Sequence, residues 1–243
     1  MSGRVVRVDG RDAAEQMAID EALARTPQRG PVLRLYRWAR PAVSYGYFMD
    51  AETARQGRIG WDAVRRPTGG GLVEHGEDVT YTLVLPRDGA CSTVAQAFDA
   101  AHQLVFTALR MLAIPARMAS AAAPAAPGAC ATQPVTGDAL VDGAKVAGAA
   151  ARRLREAVLV QGYVALDRLP SVSWTRLAEA METAAVAQWP VAWRADGLTT
   201  AEQALADELA ERRYRNQKCQ TLFGASRAVP RTAPRARTRS AEE

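Results

Sequence analysis

The chain has 243 residues, 48% of them hydrophobic, which is enough for one large domain with a substantial core and no need of disulfide or metal staples. No run approaches the roughly 20 apolar residues of a membrane helix, and residues 1–7 lack the apolar stretch of a signal peptide, so a cytoplasmic protein with no membrane partner is expected. The net charge of +5 lies mostly in residues 227–243, where five arginines face two glutamates; the body is close to neutral, which argues against nucleic acid as a partner.

In chain order, Asp12 and Glu15 form a capping box for a helix over about 12–25, with Ala14, Met17, Ala18, Ala22 and Leu23 at helical spacing. Two strand-like runs, 32–38 and 42–48, flank a turn at Pro41 and are expected to be neighbours in one sheet. A short strand over 62–66 enters a glycine turn, and an apolar strand over 79–85 leaves it. Val94, Phe98, Ala101, Val105, Ala108 and Leu112 step by three and four, the stripe of a long helix packed on a sheet. A lone histidine in that helix, His102, reads as structural. Residues 119–129 are an Ala/Pro linker that delivers Cys130, and Asp142-Gly143 is a turn ahead of a strand over 145–152. A strand over 157–166 and helices over about 172–186 and 199–222 follow, the last opened by a Thr199/Glu202 capping box. The tail, 225–243, is rich in Arg, Ala and Pro, has little to bury, and is expected to be disordered.

The run Arg65-Arg66-Pro67-Thr68-Gly69-Gly70-Gly71, closed by His75, carries the most chemical information. Three glycines remove every Cβ from a short turn, so a ligand can approach backbone N–H donors, and two arginines add positive charge. Cys91, Cys130 and Cys219 are odd in number and widely spaced; they support neither a disulfide framework nor a zinc site, and no metal site is expected. His75 reads equally as a ligand-orienting or a structural group. Trp38, Tyr45 and Tyr47 read first as core packing, with the lining of a substrate tunnel as the alternative.

Five segments in order resemble the biotin/lipoate protein ligase catalytic-domain superfamily over about residues 4–222. They are residues 17–23, 31–38 and 41–48, the 65–75 run, and Asp142-Gly143-Ala144-Lys145-Val146-Ala147-Gly148. The resemblance implies an α/β (α+β) domain over 1–224, with a mainly antiparallel mixed sheet flanked by helices. It also implies a substrate groove between the glycine turn and the lysine strand. Arg65, Arg66, Thr68, Gly69, Gly70, Gly71, His75 and Gly148 are then expected at the substrate.

Two chemistries share this scaffold. Cys130, fifteen residues before Lys145, is similar to the nucleophile of the monomeric octanoyltransferases in which cysteine precedes lysine. A cysteine thiolate beside an ammonium suits acyl transfer. In that reading Cys130 and Lys145 are catalytic and no cofactor is needed. A monomer would take an octanoyl group from acyl carrier protein and pass it to a lysine of a lipoyl domain or of glycine cleavage H protein. The alternative is an ATP- and Mg-dependent lipoate–protein ligase, in which the arginines, the glycine turn and Lys145 hold an acyl-adenylate. A third reading is a non-catalytic binder of acylated or lipoyl domains.

Overall fold

A computed structural model describes residues 1–87, 91, 93–120 and 134–216 of the chain. The elements are β1 (Ser2–Arg7), α1 (Ala13–Arg25), β2 (Val32–Tyr36), β3 (Ala42–Tyr45), α2 (Ala51–Arg55), β4 (Asp62–Arg65), β5 (Leu72–His75), β6 (Asp78–Pro86), α3 (Val94–Met111), β7 (Arg117–Met118), β8 (Ala139–Val141), β9 (Ala144–Arg153), β10 (Ala157–Ala165), α4 (Trp174–Gln188), β11 (Ala192–Asp196) and α5 (Thr200–Leu209).

The large sheet has eight strands in the order β11-β1-β2-β6-β10-β9-β8-β7. Among the described strands its two parallel pairings are those of β1 with β11 on one side and β2 on the other; the remaining pairings are antiparallel. Side-chain alternation divides its faces. Leu33, Leu35, Val79, Tyr81, Leu83, Val158 and Val160 pack against α3 and α4. Val32, Tyr36, Val84 and Leu159, of opposite parity, pack against α1 and α5. With both faces covered, β6 and β10 are buried almost throughout, including the polar Asp78, Thr80 and Thr82 of β6 and Gln161 of β10.

The capping boxes at Asp12/Glu15 and Thr199/Glu202 form as expected, and α3 has another at Thr93/Gln96. The last helix ends at Leu209, short of 222. A π turn, Ala210–Tyr214, follows and brings Arg213 and Tyr214 onto the buried carboxylate of Glu21 in α1.

One expectation is corrected. The runs at 32–38 and 42–48 are not neighbours: β2 belongs to the large sheet and β3 to a separate three-stranded sheet, β4-β3-β5. The cause is a second small core. Val43 and Tyr45 bury against Ala51, Ala54 and Leu72, so β3 turns its apolar parity towards α2. This small sheet carries the glycine turn. Cys130, Cys219 and the 225–243 tail lie outside the described residues.

Candidate functional site

The glycine turn, residues 66–71, links β4 to β5 and is locked from below. Arg66 donates from Nη1 to the carbonyl and hydroxyl oxygens of Ser44, both at 2.8 Å, and from Nη2 to the carbonyls of Gly69 (3.2 Å) and Gly71 (2.7 Å). Backbone bonds from Gly46 N–H to Gly71 and from Tyr47 N–H to Thr68 close the loop. Gly70 has φ +85°, and a Cβ on Gly46 would lie 1.8 Å from the Gly70 carbonyl; both positions therefore require glycine. Arg66 is thus the brace of the turn.

Across from the turn, β9 presents Lys145. Its Nζ lies 2.8 Å from Asp138 Oδ2, with the two side chains 5% and 2% exposed. A buried ammonium is tolerable only with such a partner. Asp138 is held in turn by the Val135 N–H at 2.7 Å. Gly148 makes room for the pair: a Cβ there would come within 2.8 Å of Lys145 Cε and 3.1 Å of Asp138 Oδ1. His102, on α3, packs under Gly137, and burial pushes its pKa down.

Between these walls lies a cleft of about 220 Å³, lined mainly by apolar surface. Lys145, Gly148, Arg66, Gly70, Gly71 and His75 all reach it, together with Trp38, Tyr36 and Tyr163. Burial and nearby Asp138 push the Tyr163 phenol up, so it stays a neutral donor. Beneath the cleft Thr68 donates to Gln161 (2.8 Å), and Gln161 donates to Asp20 (2.7 Å). Arg34 forms an ion pair with Asp20, and both side chains are fully buried.

A separate chain of hydrogen bonds runs along the small-sheet side. His75 Nδ1 is 3.0 Å from Asp78 Oδ2, and its Nε2 is 2.6 Å from Ser44 Oγ. Because the carboxylate only accepts, Nδ1 carries the proton and Nε2 accepts from the serine hydroxyl. Trp38 stacks on the imidazole at 4.2 Å and 20°.

The expected residues therefore divide. Lys145, Gly148, Arg66, Gly70, Gly71 and His75 converge on one cleft. Thr68 lies under it, and Gly69 contributes a carbonyl to Arg66. Arg65 points away, donating to the carbonyls of Tyr47 (2.7 Å) and Met49 (2.6 Å) and lying over the Tyr45 ring. Of the aromatics considered, Trp38 lines the cleft, while Tyr45 and Tyr47 do not. Asp138, Ser44, Asp78, Gln161 and Tyr163 were missed. The structure buries Lys145, and a buried lysine needs a nearby carboxylate, which is the role of Asp138.

Among the described residues no group of three or more His, Cys, Asp or Glu side chains is placed to hold a metal ion. For a nucleotide phosphate the cleft offers Lys145 and the backbone of the glycine turn, whereas the Arg65 guanidinium is directed at backbone carbonyls and that of Arg66 at backbone carbonyls and the Ser44 hydroxyl.

This architecture, a mixed sheet with a glycine turn opposite a buried lysine, is that of an acyl-handling α/β catalytic domain. The chain matches the lipoyl protein ligase A/B catalytic domain over residues 12–189, and it belongs to that enzyme family. It is 31% identical over 240 residues to an octanoyltransferase of Kyrpidia tusciae, covering 86% of each chain. It is 33% identical to an octanoyltransferase of Symbiobacterium thermophilum, over 68% of this chain and 65% of that one. A crystal structure of a lipoate-protein ligase A bound with ATP superposes with TM-score 0.74 at 25% identity, covering 92% of this chain and 99% of that one.

Proposed function

We propose that the protein is an octanoyltransferase of protein lipoylation, with residues 1–224 as its catalytic domain. The reading rests on relatives of about 30% identity that are octanoyltransferases. It is supported by the Lys145–Asp138 pair in an apolar cleft. An octanoyl group is transferred from a carrier-protein thioester to Cys130, and from there to the ε-amine of a lipoyl-domain or H-protein lysine. Each step exchanges one acyl bond for another, so no cofactor is consumed. Lys145 has two roles here: its positive charge favours the thiolate form of Cys130 and draws electron density from the acyl carbonyl. The apolar walls formed by Trp38, Tyr36 and Val73 suit an unbranched hydrocarbon chain.

The ligase reading is kept because of the ATP-bound structural relative and the third glycine, Gly71. It would place an adenylate phosphate against Lys145 and the glycine turn. One assay separates the two. The protein is mixed with octanoyl-acyl carrier protein and a lipoyl domain, without ATP, and the lipoyl domain is weighed by intact-mass spectrometry. Octanoylation that disappears in Cys130→Ala supports the thioester route. Modification that needs lipoate and ATP, or full transfer by Cys130→Ala, overturns it.

A further inference from the structure

Ser44, His75 and Asp78 come from three different strands, β3, β5 and β6, and meet at the cleft in the arrangement of a nucleophile, a base and an orienting acid. The distances are 2.6 Å from Ser44 Oγ to His75 Nε2 and 3.0 Å from His75 Nδ1 to Asp78 Oδ2. The acid is itself fixed: Asp78 Oδ2 accepts from the Thr80 hydroxyl and Oδ1 from the Gly76 N–H at 3.2 Å. Trp38 stacks on the imidazole and holds its plane. At the other end, Arg66 Nη1 donates to Ser44 Oγ at 2.8 Å, which fixes the hydroxyl and favours loss of its proton to His75. Ser44 and His75 line the same apolar cleft as Lys145. Such a constellation is identified by geometry and roles, independently of residue order.

We infer that Ser44 is a second nucleophile, which gives the cleft an esterase and thioesterase activity towards medium-chain acyl groups. Ser44 Oγ attacks the acyl carbonyl carbon while its proton passes to His75 Nε2, and Asp78 steadies the imidazolium through Nδ1–H. Collapse breaks the C–S or C–O bond, and His75 returns the proton to the departing thiolate or alkoxide. Water, giving a proton to the same nitrogen, then adds to the acyl-serine ester. The acid is released as the Ser44 hydroxyl is restored. The reaction consumes only water and does not involve Cys130, so it stands or falls separately from the transferase reading.

The test uses the full chain, p-nitrophenyl octanoate, octanoyl thioester and a fluorophosphonate probe that reacts with activated serines. Expected are slow hydrolysis of both substrates and a probe adduct that peptide mapping locates on Ser44. Ser44→Ala and Asp78→Asn should each lower hydrolysis by about 100-fold or more. Mapping the adduct on the unaltered protein keeps the test valid if a variant folds poorly. An adduct absent from Ser44, or hydrolysis that persists in Ser44→Ala, overturns the inference; hydrolysis lost only after thiol alkylation does the same.

Discussion

Replacing Gly148 by alanine tests the geometry of the cleft floor with a single methyl group. The new Cβ would lie 2.8 Å from Lys145 Cε, 3.0 Å from Nζ and 3.1 Å from Asp138 Oδ1. To regain a contact of about 3.4 Å, the lysine tip must retreat by about 0.6 Å, and the ion pair must move with it. The atoms that yield are the ends of side chains, so the stability cost should be modest, about 1 kcal/mol. Catalysis is less forgiving, because a misplacement of about 1 Å costs on the order of 100-fold. Gly148→Ala should therefore lose about 10- to 100-fold in single-turnover octanoyl transfer, followed by intact mass, while its urea midpoint changes little. A variant that transfers at the original rate would show that Lys145 is not held where the chemistry needs it. One that unfolds would show that the floor is more rigid than side-chain tips should be.

Removing Asp138 leaves the Lys145 ammonium buried without its carboxylate, so Asp138→Ala should cost about 3–5 kcal/mol in urea unfolding. Gly162→Ala should destabilise by about 1–3 kcal/mol, because its Cβ would lie 2.4 Å from the Tyr81 ring across the β6–β10 pair; circular-dichroism melting reads this directly. Thr93→Ala should lose about 1 kcal/mol by removing the α3 capping box, seen in the same melt. Glu202 supplies a pH signature. Burial alone would raise its pKa, but bonds from Arg4, Gln28 and the Thr199 N–H prevail and hold it at about 2, below the ordinary 4.5. Its folded pKa is depressed, so its contribution is complete above about pH 4.5 and fades as pH falls towards 2. Urea stability should therefore drop across that window, and Glu202→Gln should be less stable at pH 6 but flatter below pH 4.5.

The features legible in the sequence were those written in short-range pattern. The Asp12 and Thr199 caps, the α3 stripe, the 79–85 strand and the glycine turn itself all follow from spacing or local chemistry, whereas its place opposite Lys145 follows only from the family resemblance. What escaped depends on the third dimension. Nothing in 42–48 announces that Val43 and Tyr45 have a small core of their own, and so β3 was assigned to the wrong sheet. Arg65 and Arg66 are adjacent and chemically identical, yet strand alternation sends one guanidinium away from the cleft and the other beneath the glycine turn. Ser44 and Asp78 looked like ordinary strand and turn residues until β3, β5 and β6 brought them to one imidazole. The β1–β11 pair was missed because parallel partners almost two hundred residues apart leave no local trace.

That pairing also governs how the chain reaches its native state. β1 lies between β2 and β11, and its register against β11 runs from Ser2 with Ala192 to Val6 with Asp196. Closing so long a loop is entropically slow, so this seam can form only after nearly all of the domain has been synthesised. The boundaries 12–189, over which the family match runs, exclude both strands. A chain cut there would keep the cleft residues but present β2 as a bare edge, open to pairing with another molecule.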